Sequence, residues 1–201
     1  MSELPQIDRQ LAPLKDWQLS AFCAALSERM YPNFALFSDL VEFGDNQKLR
    51  TVLNGVWDHL ANTGAKMNFE VQLGHVEANM PDLEEFTMYG AVPARDAVLA
   101  LVQTLECVLE ADLELASEIA NLSRECVATF IEFSEGVDQL SDEELIRLIN
   151  THELMEIEDA FQQEVLDQVT AHKQPNKALM QSLRELASNE GVSNIGVRAE
   201  D

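Results

Sequence analysis

The stretch ARDAVLALVQTLECVLE, residues 94–110, decides the fold class. Its apolar side chains, among them Ala97, Val98, Leu101 and Leu105, cover most of a helix's circumference instead of a single stripe. A helix that is apolar nearly all round lies at the centre of a domain, where other helices cover each of its faces. The stretch therefore predicts a central buried helix in an all-α protein.

Helical periodicity continues on both sides of this stretch. Apolar residues three and four apart form one stripe over residues 49–60. A second stripe over residues 115–133 predicts that Phe130 and Phe133 face the core. Pro32 is predicted to end the first long helix, because the residue before a proline is pushed out of the α region. The predicted helices cover about 15–31, 33–42, 45–61, 67–79, 94–110, 112–136, 141–150, 151–172 and 176–189.

The helix boundaries follow from capping residues and breakers. Ser141 and Glu144 form a capping box, and the apolar stripe shifts near residues 150–151, which predicts a bend there. Sustained period-two alternation, fixed repeats and Ser/Gly linkers do not occur in the sequence. One all-α domain spanning 1–201, a bundle of seven to nine helices, is the economical reading. Its polar tail, 192–201, is expected to fray unless Ile195 docks.

The charge of the chain is strongly one-sided. Asp and Glu number 36 against 13 Lys and Arg, a formal net charge of −23, and the excess is concentrated in the second half of the chain. Such a field repels nucleic-acid phosphates and anionic lipid headgroups, so the sequence predicts neither direct nucleic-acid binding nor binding to a membrane surface, both of which the charge disfavours. The charge keeps the protein soluble, or it attracts a basic protein partner, and the sequence leaves both interpretations open.

The cysteines and the amino-terminal residues indicate the cellular compartment of the protein. Cys23, Cys107 and Cys126 form no C-x-x-C pair, and their odd number argues against a closed disulfide set. The opening MSELPQIDRQ lacks the apolar run of a signal peptide, and no stretch approaches 18 uninterrupted apolar residues. A reducing, cytoplasmic setting is therefore expected.

No motif that carries catalysis is found. None of the four histidines follows a Glu three residues earlier, so a di-iron bundle is not indicated. His152-Glu153 begins like a zinc motif, but Glu156 stands where the second His is required. The sequence therefore predicts no catalytic residue, no metal and no cofactor, and it favours a protein that is not an enzyme.

Two polar segments are candidates for a pocket or for a polar corner between helices. One joins the first two predicted helices, and the other lies at the start of the central helix. The structural alternative is that such side chains satisfy helix ends. The functional alternative is that they wall a pocket, which requires a few convergent polar groups on an apolar base. The candidates are Glu28, Arg29, Tyr31 and Asn33 from the first segment, and Tyr89, Arg95 and Asp96 from the second.

Several strings resemble one bacterial family. They are ERMYPN at 28–33, FGD at 43–45, YG at 89–90, PARDA at 93–97, SDEEL at 141–145 and SNIG at 193–196. Together they cover essentially the whole chain and resemble the YjaG-like family of uncharacterised proteins of about this length. The resemblance implies an all-helical cytoplasmic bacterial domain of unknown role and brings no catalytic residues. It adds a tail motif of unknown role, Ser193, Asn194 and Gly196, to the candidate sites.

Three functional hypotheses follow. The first is a non-catalytic interaction protein with an acidic surface, which in its sharper form engages a basic protein partner. The second is a small-molecule-binding protein, or an enzyme of unfamiliar type, with a pocket near residues 28–33 that holds Arg29 and Tyr31. The third is a self-associating structural protein. Ligand, partner and oligomeric state are not encoded in any motif of the sequence.

Overall fold

The computed structural model describes residues 6–199. In that range the chain is all-α, as predicted, with one isolated β-bridge between Val192 and Arg198. The helices are α1 Gln6–Leu11, α2 Asp16–Val41, α3 Asn46–Leu60, α4 Phe69–Glu77, α5 Ala91–Leu109, α6 Leu113–Glu135, α7 Asp142–Thr151, α8 Glu153–Thr170 and α9 Lys177–Ser188, followed by a 3-10 turn at Asn189–Gly191.

The core of the domain lies around α2 and α5, which pack against each other along their length. In α5, 12 of 19 residues are buried. In α2 the number is 19 of 26, and the buried set includes polar residues as well as apolar ones. Helix α5, which the sequence predicts to be central, therefore shares the interior of the domain with the longer helix α2.

The predicted helix break at Pro32 is wrong. Helix α2 runs through Pro32 without interruption, and the proline itself is buried. A proline in a helix interior removes one backbone hydrogen bond and costs about 3 kcal/mol. Phe34 and Phe37 lie beyond it and are buried at 0% and 4% exposure. Their burial contributes roughly 1.5–3 kcal/mol each, which offsets the local cost.

Local capping explains most other boundaries. The side chain of Asp112 accepts a hydrogen bond from the N–H of Glu114 at the start of α6, and the Ser141–Glu144 capping box starts α7. His152 ends α7 and caps α8, which places the predicted bend there. Helix α5 begins at Ala91, three residues before its predicted start.

The carboxyl-terminal segment packs onto the helices. Ser193, Asn194 and Ile195 are buried, and the Ser193 N–H donates to the Val197 carbonyl at 2.8 Å. Residues 200–201 of the predicted tail lie outside the described part of the chain. Among the helices of residues 6–199, none combines the length and the hydropathy that crossing a bilayer requires.

Candidate functional site

Glu28, the first of the candidate residues, joins α2 to α3. Its carboxylate accepts two hydrogen bonds from the Arg50 guanidinium, at 2.6 and 2.7 Å, and one from Trp57 Nε1 at 2.8 Å. The Arg50 guanidinium also lies over the Tyr31 ring, 4.7 Å from its centroid. Tyr31 donates its hydroxyl proton to the Asn46 carbonyl at 2.8 Å, and burial raises its pKa to about 12.

Arg29 holds the carboxyl-terminal end of α9. Its Nε and Nη2 donate to the carbonyls of Ala187 and Leu186, at 3.0 and 3.1 Å, and its guanidinium lies 4.0 Å from the centroid of the Phe161 ring. Burial lowers the pKa of Arg29, and the charge of Glu158 acts in the opposite direction. Arg29 and Tyr31 thus have structural partners, and neither lines the groove described below.

A buried polar network connects α2, α6, α8 and the carboxyl-terminal segment. Asn33 Nδ2 donates to Asn194 Oδ1 at 2.9 Å, and Asn194 Nδ2 donates to the Ser123 hydroxyl at 3.2 Å. The Ser123 hydroxyl donates to Glu158 Oε1 at 2.7 Å, and Gln162 Nε2 donates to the same oxygen at 2.7 Å. The network thereby brings the two motifs singled out in the sequence, residues 28–33 and 193–196, into direct contact.

Glu158 is the buried carboxyl of this network. Burial raises its pKa, while hydrogen bonds from Gln162 and Ser123 and the charge of Arg29 act in the opposite direction. Asp96 is a second buried carboxyl. Burial raises its pKa, although it accepts a hydrogen bond from Arg95 Nη2 at 3.1 Å. Neither Asp96 nor Arg95 lines the groove described next.

An apolar groove of about 250 Å³ opens where α2, α6, the start of α5 and the carboxyl-terminal segment meet. Two of the candidate residues, Asn33 and Tyr89, line this apolar groove. The other lining residues are almost all apolar: Leu36, Phe37, Leu40, Val41, Met88, Gly90, Pro93, Phe130, Ile195 and Val197.

Exposed apolar side chains mark the rim of the groove. Leu40 is 74% exposed, Met88 is 48% exposed, and the neighbouring Phe133 is 61% exposed. The Tyr89 ring stacks on Phe133 with a centroid separation of 4.0 Å and an interplanar angle of 12°. The prediction that Phe133 faces the core is therefore wrong: its ring covers Tyr89 at the surface.

Two polar atoms in the groove wall have no hydrogen-bond partner. They are Asn33 Oδ1 and Tyr89 Oη, and both are buried beneath the apolar surface. Burial also raises the pKa of Tyr89, so its phenol is neutral at physiological pH. Within residues 6–199 no three His, Cys, Asp or Glu side chains converge as a metal site would require. The groove therefore offers mainly apolar contact, with an unpartnered amide oxygen of Asn33 and an unpartnered hydroxyl of Tyr89 in its wall.

Sequence reasoning missed most of the residues that form the groove. Leu36, Leu40 and Val41 lie in α2 beyond the proline that was predicted to end the helix. Phe130 and Val197 come from distant segments. One signal was available in the sequence. Leu40 is a large apolar residue in a segment that also contains two acids, Asp39 and Glu42.

The fold and site define a class: an all-α, single-domain protein with a buried polar network and an apolar surface groove. The chain belongs to the family described as "Protein of unknown function (DUF416)", whose model matches residues 6–198. A crystal structure of a DUF416 family protein from Shewanella baltica OS155 has a TM-score of 0.86 and 33% identity, covering 98% of this chain and 100% of that chain.

Curated relatives agree with this assignment. The chain is 35% identical over 192 residues to "Uncharacterized protein YjaG" of Escherichia coli K12, covering 95% of each chain. It is 33% identical over 193 residues to an uncharacterised protein of Haemophilus influenzae, covering 95% of this chain and 96% of that one. The family resemblance read from the sequence motifs is thereby confirmed.

Proposed function

We propose that this chain is a non-catalytic interaction protein of the cytoplasm that binds another protein through the apolar groove. The observation that carries the proposal is the exposure of Leu40, Met88 and Phe133 around one groove. Contiguous exposed apolar surface marks interaction sites, whereas scattered exposed apolar residues do not. The cytoplasmic setting is supported by three buried cysteines that are free thiols.

The groove has room for side chains of a protein partner. Pockets for small molecules commonly measure about 300–1,000 Å³ and enclose most of the ligand. A groove of about 250 Å³ takes one or two side chains of a partner. The exposed rim residues would then contact the surface around those side chains, as the periphery of a protein interface does.

The polar groups of the domain support a non-catalytic role. Glu28 and Arg50 are bonded to each other, and Arg29 is bonded to the end of α9. Glu158 is enclosed among Ser123 and Gln162. These ionisable groups stabilise contacts between helices and do not line the groove.

One observation favours a second candidate, a small apolar molecule with a hydrogen-bond donor. Asn33 Oδ1 is an unpartnered acceptor in the groove wall, and Tyr89 Oη is also unpartnered. An unmet buried acceptor costs about 1–3 kcal/mol, which a donor on a ligand would relieve after a small movement of the wall. Native mass spectrometry of the protein isolated under mild conditions would reveal such a ligand as an added mass.

Site-specific photocrosslinking in living bacteria tests the proposed function. A photoreactive amino acid is placed at Leu40 in one variant and at Val71 in a matched control, since Val71 is 52% exposed but does not line the groove. We expect a discrete adduct from position 40, none from position 71, and loss of the adduct when Phe133→Ser is added.

The same experiment separates the other hypotheses. An adduct of twice the chain mass would support self-association instead. Equal adducts from positions 40 and 71, or an adduct that survives Phe133→Ser, would contradict the groove as the binding site. The absence of an adduct together with a co-purified small molecule would favour the second candidate.

A further inference from the structure

We infer that the partner segment seated in the apolar groove is a basic amphipathic helix, with apolar residues on one face and Lys or Arg on the other. This inference rests on the proposed function and specifies the chemistry of the partner. It combines three features of the same surface: an apolar groove, a surround in which acids outnumber bases, and two helix ends.

Three of the segments that form or flank the groove carry acids and no bases. The two other segments each hold one base: Arg95, which donates to Asp96, follows Pro93 by two residues, and Arg198 follows Val197. Residues 36–43 contain Asp39 and Glu42, and residues 128–136 contain Glu132 and Glu135. The connection over residues 80–90 adds three more acids, and none of the three segments contains a Lys or Arg. All of these acids are exposed except Glu132, which is half-buried. We call them the acidic fringe: Asp39, Glu42, Asp82, Glu84, Glu85, Glu132 and Glu135.

The backbone adds negative partial charge beside the groove. Helix α2 ends at Val41 and α6 ends at Glu135, so two carboxyl-terminal helix ends lie in the segments beside the groove. A helix carboxyl terminus bears a partial negative charge and favours nearby cations. Helix α5 begins at the groove, but its first N–H groups, those of Ala91 and Val92, already donate to the carbonyls of Met88 and Tyr89. They are therefore not free to bind a carboxylate.

The helical form of the partner follows from the surface that receives it. Strand addition requires an exposed sheet edge, and residues 6–199 contain no β-strand, only an isolated bridge at 192 and 198. An amphipathic helix instead inserts its apolar anchors into a groove between helices and leaves its polar face at the rim. The rim residues Leu40 and Phe133 would contact that apolar face.

Charge argues against a second copy of this chain in the same groove. Each copy carries a net charge of −23, so association through this surface would bring one acidic fringe toward another acidic molecule. A basic segment is attracted by the acidic fringe, and this attraction speeds its association with the groove. An acidic partner is repelled by the same charges.

Three synthetic peptides of about 18 residues test the inference by fluorescence anisotropy with the full chain. The first has leucines on one helical face and lysines elsewhere. The second replaces every lysine with glutamate. The third keeps the composition of the first but orders it so that no apolar face forms. We expect the first peptide to bind at least about tenfold more tightly than either other peptide.

Variants of the protein separate the contribution of the apolar rim to binding from that of the acidic fringe. The double variant Leu40→Ser/Phe133→Ser should weaken binding of the first peptide about tenfold or more. Glu42→Gln/Glu135→Gln should weaken it further than the control Glu164→Gln/Glu185→Gln, which removes the same charge from α8 and α9. Raising the salt from about 50 to about 500 mM should reduce the difference between the two glutamate variants.

Each contrary result has a defined meaning. Equal binding of the glutamate peptide, lost in Leu40→Ser/Phe133→Ser, would overturn the basic partner and leave the groove as a binding site. Equal binding of the reordered peptide, or binding unaffected by the rim variants, would show attraction by charge alone and overturn the inference. Absence of binding by all three peptides would also overturn it, and the crosslinking at Leu40 would then decide the proposed function separately.

Discussion

Asn33 Nδ2 donates a hydrogen bond to Asn194 Oδ1 at 2.9 Å and so fastens the carboxyl-terminal segment to the middle of α2. Asn194 continues the contact by donating to the backbone carbonyl of Ser123 in α6 at 3.3 Å. Ile195, the next residue, lines the groove. The wall of the candidate site therefore depends on a polar contact that is buried behind it.

Asn194→Ala should destabilise the fold by about 2 kcal/mol. The substitution leaves the Asn33 amide without its acceptor in a buried position, and an unmet buried polar group costs about 1–3 kcal/mol. Urea unfolding measures the change in the free energy of unfolding. Gln181→Ala is the control, because Gln181 is exposed and bonds only to Glu185, and it should change stability by less than about 0.5 kcal/mol. Equal effects of the two substitutions would contradict the role given to Asn194.

Two ion pairs of similar length should differ in their contribution to stability. Glu28 and Arg50 meet at 2.6 Å with exposures of 5% and 28%, whereas Arg124 and Asp159 meet at 2.7 Å with exposures of 41% and 51%. Glu28→Gln leaves a partly buried guanidinium unpaired and should cost about 2–4 kcal/mol. Asp159→Asn should cost less than about 1 kcal/mol. Urea unfolding of both variants checks this order, and a smaller loss from Glu28→Gln would contradict it.

Local signals in the sequence were sufficient to predict the fold class and most helix ends. Asp112 caps the start of α6 and Gly136 caps its end. Both residues act on backbone groups within one helical turn, so their effect can be predicted from the local sequence. The break at Pro32 was predicted on the same local basis and is wrong. Burial of α2 against neighbours that are distant in sequence offsets the local cost of the proline.

The candidate site was less accessible to sequence reasoning. Periodicity gives the spacing of a stripe but not how far other elements cover it, and so Phe133 was placed in the core although it is exposed. The residue types at Asn33 and Tyr89 drew attention to both positions. Their common place in one groove depends on the packing of α2 against α5, which no local pattern encodes.

Glu158 should make the stability of the fold depend on pH. Its pKa is raised by burial, so the native state holds its proton at pH values where the unfolded chain has lost it. The stability from the neutral carboxyl is fully present below the unfolded pKa of about 4.3, and it is lost as the pH rises through the raised native pKa. Glu158→Gln cannot ionise and should not show this loss.

The measurement is the free energy of unfolding in urea at several pH values from about 4 to neutral. Relative to Glu158→Gln, the unsubstituted protein should become less stable as the pH rises. Glu156→Gln, an exposed substitution on the same helix, should leave the pH dependence of the unsubstituted protein unchanged. A difference between Glu158→Gln and the unsubstituted protein that is constant with pH would contradict the burial of an ionisable carboxyl there.

Two glycines with similar positive φ angles separate backbone strain from steric contact. Gly44 has φ +74 and Gly64 has φ +85, a region in which an alanine is strained by roughly 1–2 kcal/mol. A Cβ on Gly64 would meet no heavy atom within 4 Å, whereas a Cβ on Gly44 would lie 2.7 Å from Asn79 Oδ1. That oxygen accepts a hydrogen bond from the Asp45 N–H at 2.6 Å, so it cannot move without breaking the contact that starts α3. Gly44→Ala should therefore destabilise the fold by about 1–3 kcal/mol more than Gly64→Ala in thermal or urea unfolding, and equal losses would show that backbone strain alone decides both positions.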